Sequence, residues 1–147
     1  MDKVKVKFKK LYSDAKPFKF HSNSAAGADI YSYEDVIIPV AQGQAAVKIS
    51  TGIAVEIPEG YEMQIRARSG LSSKGIIITN GVGTIDSDYR GEVKILLTNL
   101  TSIPFRISKF DRIAQAVVQK VEPTEYEEVE ELSVTERGTG GFGSTGV

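Results

Sequence analysis

A chain of 147 residues that is 41% hydrophobic has enough apolar material to bury the core of one domain. Its 18 Lys and Arg against 19 Asp and Glu leave a formal net charge of −1, which excludes a nucleic-acid binder that works by bulk positive charge. The absence of cysteine excludes disulfides and thiolate metal sites, and no window approaches the roughly 18 apolar residues of a membrane span. The expectation is a soluble intracellular protein, cytoplasmic, or nuclear for a eukaryotic or viral source, with neither nucleic acid nor membrane as partner.

In chain order, "KVKVKFK" alternates strictly, with Val4, Val6 and Phe8 on one face and Lys3, Lys5, Lys7 and Lys9 on the other. Period 2 predicts a half-buried strand whose lysines discourage edge pairing. Further strand-like runs are "DVIIPV", "QAAVKIS", "GIAVEIP", "EMQIRAR", "GIIIT", "EVKILLTNL", "FRISKF" and "RIAQAVVQKV". They are short, rich in Val and Ile, and bounded by Gly, Pro, Asn, Asp or Ser. "SGLSSKG" predicts one or two helical turns, with Ser69 as cap and Gly75 as stop. Residues 122–131, "EPTEYEEVEE", have helical propensity but six glutamates, whose repulsion equally suits a solvated linker. The sum is an all-β sandwich or barrel-like domain of residues 1–121, an acidic connector of residues 122–136 and a flexible glycine-rich arm of residues 137–147.

Polar and glycine residues concentrate in "SAAGADIYS", "RARSGLSSKG", "NGVGTIDSDYRGE", "FDRIAQ" and "RGTGGFGSTG", at strand ends and turns where a β-scaffold displays its functional groups. "GIIIT" and "EVKILL" predict a hairpin carrying Asp86 at its tip or inner face. Asp86 reads either as an ordinary turn residue or as the base that orients and deprotonates a water near a phosphate chain. Tyr89 is either a core aromatic or the wall of a sugar pocket. Arg66 and Arg68, two apart on a strand, share one face and lead into Ser69 and Gly70, an arrangement suited to phosphate but also common on surfaces. The C-terminal glycines leave little to pack, so that stretch is either a free tail or a segment ordered by a ligand, with Arg137 for charge and Phe142 for stacking. His21 lies in a loop with no partner at metal-ligand spacing and is set aside.

Taken together, the five segments resemble the ordered motif set of the trimeric dUTP pyrophosphatases, the dUTPases, from about Ala25 to Gly146. The resemblance implies a distorted jelly-roll (β-clip) fold and Mg²⁺-dependent hydrolysis of dUTP to dUMP and pyrophosphate. That reaction keeps uracil out of DNA and supplies dUMP for dTMP synthesis. It also implies a homotrimer with sites between subunits, the C-terminal arm closing over a neighbour's site. Asp86 would then activate the water that attacks the α-phosphorus. Asp29 would touch the metal shell through water. Arg68, Ser69, Gly70 and Gln115 would hold phosphates, and Arg112 would be a structural ion-pair partner. Asn80 with Gly83, Thr84 and Ile85 would read uracil, Tyr89 would pack under the deoxyribose, and Lys94 would stand nearby on the returning strand. Phe142 would stack on the base and Arg137 would reach the γ-phosphate, while Gly143, Ser144 and Thr145 wrap the phosphate chain.

Two positions depart from the family pattern. Gly81 and Val82 follow Asn80 where the family often has Ser-Pro, and Phe110 stands where a glycine often precedes the Asp-Arg pair. Alternative activities on the same scaffold are dCTP deamination, expected to need a pocket glutamate, promiscuous triphosphate hydrolysis, and catalytically silent nucleotide binding.

Overall fold

The apolar runs fold as strands because β-branched side chains pack well on a pleated surface, and the computed structural model, which describes residues 2–146, contains ten of them. They are β1 (Lys7–Lys10), β2 (Ala28–Tyr31), β3 (Val36–Ile38), β4 (Val47–Glu56), β5 (Tyr61–Arg66), β6 (Ile76–Ile78), β7 (Gly83–Ile85), β8 (Glu92–Asn99), β9 (Phe105–Ile107) and β10 (Arg112–Lys120), with one helical turn, α1 (Ser69–Ser72), after β5. Met1 and Val147, the outer limits of the expected core and arm, lie outside the described residues.

Two four-stranded sheets run in the orders β1-β4-β8-β6 and β2-β10-β5-β7, and β3 pairs with β9 in a separate ribbon. From β4 onward the chain changes sheet at each of β5, β6, β7 and β8, which gives the antiparallel jelly-roll its distortion. Ile49, Val93, Ile95 and Leu97 from one sheet meet Ile30, Met63, Ile65 and Ile113 from the other in one buried cluster. Each such side chain contributes about 1.5–3 kcal/mol when fully buried. β8 shows the division of labour: Val93, Ile95 and Leu97 are buried, while Lys94 between them is exposed on the outer face.

The runs "QAAVKIS" and "GIAVEIP", expected as two strands, join into the single ten-residue β4 across a register shift between Ser50 and Ala54. Gly52, at φ +71°, occupies the irregularity, and an added Cβ would meet Ala15 and Tyr12 at 3.0 and 3.2 Å. Polar groups released by the shift find partners: Glu92 accepts from the Gly52 amide at 3.1 Å and from the Ser50 hydroxyl, and Thr51 Oγ1 donates to the Val93 carbonyl at 2.6 Å.

Other expectations are corrected. Pairing of β1 begins at Lys7, opposite Glu56, because β4 ends there ahead of Pro58; Phe8 remains 53% exposed. "ADIY" and "GTI" are strands of their own, too short to read as runs. The helix N-cap is Arg68, in extended conformation and without a side-chain cap, since Ser69 is already the first helical residue; Gly75, at φ +81°, does end the turn. β6 and β8 pair as the expected hairpin requires, but between them the chain crosses to the other sheet, where β7 pairs with β5. Asp86 therefore ends a cross-sheet excursion instead of a hairpin. Residues 121–139 are exposed and contain no helix or strand. No helix among the described residues is long and apolar enough to cross a membrane.

Phe110 takes φ +72° in the Ser108–Asp111 turn, a left-handed conformation that costs a residue with a Cβ about 1–2 kcal/mol. Its ring compensates by lying under Lys16 Nζ at 4.5 Å and edge-on to Tyr33 at 6.4 Å.

The same surface cluster pins three loops. Tyr12 stacks on Tyr33 at 4.4 Å, the Tyr33 hydroxyl donates to Asp14, and Lys109 Nζ lies 3.0 Å from Asp14 Oδ2. The Tyr33 hydrogen bond, then that of Lys109, holds the Asp14 carboxyl below its usual 3.8. The hydrogen bond to Asp14 raises Tyr33 above its usual 10.0 and Lys109 above 10.5. The Asp14 contribution is present above its unfolded value and is lost as pH falls through the lowered folded value. Those of Tyr33 and Lys109 are present below their unfolded values and are lost as pH rises through the raised folded ones. Thermal melts of Asp14→Asn across pH should therefore show a small loss of Tm relative to the parent near neutrality, shrinking as pH falls below the carboxyl's usual 3.8 and again as pH rises above the usual 10.0 of Tyr33 and 10.5 of Lys109.

Candidate functional site

The register of the second sheet sets Asp29 of β2, Gln115 of β10 and Arg66 of β5 side by side. Asp29, with only 14% of its side chain exposed, is surrounded by basic groups: Arg68 Nε lies 3.0 Å from Oδ1, while Arg112 Nη1 and His21 Nε2 lie 3.4 and 3.2 Å from Oδ2. A largely buried carboxylate is thus matched by three basic side chains, the pairing that burial of an ionic group requires. Arg68 Nη1 also donates to the Arg112 carbonyl at 3.2 Å, so the guanidinium is held at two points.

Gln115 Nε2 donates to the Ala67 carbonyl at 2.8 Å, and a Cβ on Gly27 would run into the Gln115 amide. The amides of Ser69, Gly70 and Leu71 have no backbone acceptor among the described residues. Gly27, Ser69 and Gly70 line a hollow of about 410 Å³ with His21, Ser22, Asp29, Arg68 and Gln115 in its wall. Guanidinium donors and unused backbone amides facing one space suit an anion with several oxygens. Arg66 takes no part, because its Nε and Nη2 both donate to Gln64 Oε1, at 3.0 and 2.6 Å. The expected Arg66–Arg68 pairing on one target does not form. Arg112 is an ion-pair partner, as expected.

A second hollow, of about 540 Å³, lies where the end of β7 meets β8 and is lined by Thr84, Ile85, Asp86, Tyr89 and Lys94, together with Lys48 and Leu96. Strand alternation explains its chemistry: Ile85 is buried, so Thr84 and Asp86 on either side point outward. A turn comes next, closed by the Tyr89 amide donating to the Asp86 carbonyl at 3.1 Å and stapled by Arg90 Nη1 on the Ser87 carbonyl at 2.6 Å. The Tyr89 hydroxyl donates to the Glu92 carbonyl at 2.8 Å, and its ring lies so close to Gly91 that a Cβ there would collide with it. Tyr89 is thus a fixed wall, 45% exposed, not a core residue. Asn80 is exposed at the start of the excursion, where its Nδ2 would lie 3.4 Å from a Cβ on Gly83.

The arm forms its own unit. Arg137 Nε donates to the Gly140 carbonyl at 2.9 Å, the Ser144 amide to the Gly141 carbonyl at 3.0 Å, and Phe142, at φ +52°, has its ring wholly in solvent. Arg137, Phe142, Gly143, Ser144 and Thr145 border a hollow lined only by residues 135–145. One chain therefore brings together Asp29, Arg68, Ser69, Gly70 and Gln115 in one place, and Thr84, Ile85, Asp86, Tyr89 and Lys94 in another. It brings the arm to neither.

Of the residues lining the two hollows, His21 was set aside on sequence and Lys48 was not named. Lys48 carried a signal, since it precedes buried Ile49 in an alternating strand and so faces outward, opposite Leu96 of β8. His21 carried none. Its partner is reached because the Lys19 and Asp29 backbones exchange hydrogen bonds of 3.1 and 2.8 Å, laying residues 19–21 against β2. Among the described residues no group of three or more His, Cys, Asp or Glu side chains is arranged to hold a metal ion.

A dUTPase family model matches residues 13–146. The deoxyuridine 5′-triphosphate nucleotidohydrolase of Nautilia profundicola is 54% identical over 144 residues, covering 97% of this chain and 99% of the relative. That of Zymomonas mobilis is 51% identical over 148 residues, covering 99% of each. Among solved structures, the Staphylococcus bacteriophage 80alpha dUTPase with dUPNHPP is 33% identical and superposes with a TM-score of 0.86, covering 97% of this chain and 99% of that one. A mutant dUTPase from phage phi11 of S. aureus, whose structure reveals the coordination of a structural Mg(II) ion, is 28% identical with a TM-score of 0.76, covering 86% and 97%.

The path of β7 depends on Gly83. A Cβ there would sit 3.0 Å from Ile65 Cβ, and relieving that contact means moving a core strand. Gly83→Ala should cost about 1–3 kcal/mol in denaturant unfolding. Gly70→Ala, with nothing within 4 Å, should stay within about 0.5 kcal/mol of the parent.

Proposed function

The chain belongs to the dUTPase family and is a dUTP diphosphatase, and we propose that it works as a homotrimer whose sites are completed between subunits. The observation that carries this reading is the separation of the three hollows. The phosphate-suited hollow, the Asp86 hollow and the aromatic arm share no lining residue within one chain, yet the reaction needs all three at once. A trimer with its arm crossing to a neighbour satisfies that need without changing the fold. The working units are then the core to residue 121, the connector of residues 122–136 and the arm from residue 137.

Chemically, a water held by Asp86 gives up a proton to the carboxylate as its oxygen bonds to the α-phosphorus. The bond from that phosphorus to the bridging oxygen breaks, and pyrophosphate leaves with the electron pair. Arg68, the amides of Ser69 and Gly70, and Gln115 hold the phosphate oxygens, and Arg137 with Ser144 and Thr145 closes over them. The residues fit a magnesium ion brought in with the triphosphate. The described residues build no cage for one, and Mg²⁺ typically keeps phosphate oxygens and waters as ligands, needing only one or two carboxylates. Asp29 is the carboxylate placed at the phosphate hollow and would hold the ion indirectly, through water. When bound, Mg²⁺ supplies charge neutralisation on the departing pyrophosphate.

Uracil is read by the Asn80 amide and the backbone of Gly83, Thr84 and Ile85, with Phe142 stacked on its face. The fixed ring of Tyr89 lies under the sugar and excludes a 2′-hydroxyl. Lys94 borders the same hollow. Cytosine reverses the donors and acceptors, and leaving buried polar groups unpaired costs about 10⁴-fold in selectivity. In the cell this reaction limits uracil incorporation into DNA and supplies dUMP for dTMP synthesis, in the compartment where nucleotides are made.

With Mg²⁺ present, dUTP should yield pyrophosphate and no ammonia, while dCTP, dTTP and UTP turn over far more slowly; equal rates on all four would overturn the specificity assignment. Asp86→Asn should lower kcat by about 10²–10⁴-fold or more while leaving the affinity for a non-hydrolysable dUTP analogue unchanged. Deleting residues 137–147 should leave a folded trimer by light scattering with turnover strongly reduced. Phe142→Ala should raise KM about tenfold, the scale of one lost base stack.

A further inference from the structure

We propose that His21 is a positioning residue that keeps Arg68 available to phosphate by holding the Asp29 carboxylate in place. The idea rests on the phosphate-site roles of Arg68 and Asp29 and adds what sets their geometry. Asp29 meets Arg68 end-on: Oδ1 accepts from Nε at 3.0 Å, while Oδ2 is turned away toward His21 Nε2 at 3.2 Å and Arg112 Nη1 at 3.4 Å. The alternative for an arginine–carboxylate pair is the two-bond fork, which would use Nε and Nη2 together. In that geometry Nη2, the end of Arg68 with no hydrogen-bond partner among the described residues, would be consumed by Asp29.

His21 opposes that rotation. Its Nε2 lies at ion-pair distance from a carboxylate oxygen that can only accept, so the one hydrogen on Nε2 is shared between that oxygen at 3.2 Å and the hydroxyl oxygen of buried Tyr31 at 3.0 Å, both as acceptors. The backbone bridge between Lys19 and Asp29 fixes the segment from which the imidazole reaches over. Without His21, Oδ2 keeps only the longer contact to the half-exposed Arg112, and the fork to Arg68 becomes the better pairing. His21 also stands in the wall of the hollow, so the change occurs where phosphate would bind.

The test compares His21→Phe, which keeps a ring but no donor, with His21→Gln, which returns an N–H donor at similar reach. Binding of α,β-imido-dUTP is measured calorimetrically with Mg²⁺, beside kcat, KM, Tm and trimer mass. His21→Phe should weaken analogue affinity about 10-fold or more, the usual scale for losing a supporting partner of a ligand-holding group, with KM rising more than kcat falls. His21→Gln should recover most of it. In an Asp29→Asn background, His21→Phe should have no further effect. Affinity of His21→Phe within about twofold of the parent, or His21→Gln as weak as His21→Phe, would overturn the proposal. Loss of affinity in Asp29→Asn with none in His21→Phe would leave the site reading standing and remove His21 alone. If Asp29→Asn itself binds as the parent does, the role of Asp29 fails, and this proposal with it.

Discussion

Two antiparallel sheets share a single apolar core, so each strand has one face committed to Ile, Val and Leu packing and one face free. Everything the protein displays depends on that constraint. On β8, buried Val93, Ile95 and Leu97 force Lys94 and Leu96 outward, making the floor of the Asp86 hollow. On β7, buried Ile85 does the same for Thr84 and Asp86. The chain can reach that face with Asp86 only because Gly83 lets the backbone come against Ile65. The exposure of the Asp86 carboxylate at the end of β7 is thus a consequence of how tightly the excursion is packed beneath it.

On the second sheet the organising element is electrostatic. Asp29 sits half-way into the structure, and a carboxylate there is tolerated because Arg68, Arg112 and His21 surround it. The arrangement serves two purposes at once. It satisfies the carboxylate, and it fixes the plane of the Arg68 guanidinium beside the unused amides of α1. Rigid donors lose little on meeting an anion, because their orientation has already been set by the fold. The neighbouring turn achieves comparable rigidity in a different way. Phe110, forced into a left-handed conformation at the start of β10, is held by cation–π and edge-on aromatic contacts to Lys16 and Tyr33, where a glycine would have needed none.

The remaining parts cannot be explained by one chain. Among the described residues the arm hydrogen-bonds only with itself and with Thr135 beside it, and it presents Phe142 fully to solvent. A large aromatic so exposed has a partner elsewhere as its simplest rationale. In the trimer proposed above, division of the site among subunits would couple assembly to activity, since each hollow of a single chain is lined without the others.

By itself the sequence determined the features set by local pattern: the all-β class, most strand positions, the turn after β5 and its glycine stop. It also located the segments that hold Asp29, Arg68, Asp86, Tyr89, Gln115 and Phe142. Periodicity and glycine placement are short-range properties, and ordered motifs survive as text. Tertiary structure alone decided the rest, because the deciding contacts join residues far apart in the chain. The two expected strands became one β4 because Glu92, some forty positions away, stabilises the irregularity at Gly52. The Asp86 hairpin became a crossing because β7 finds its ladder on β5. Arg66 and Arg68, alike in sequence, parted because Gln64 and Asp29 lie on different sides of them. His21, unpaired in every local pattern, gained a role only when a backbone bridge laid it beside Asp29.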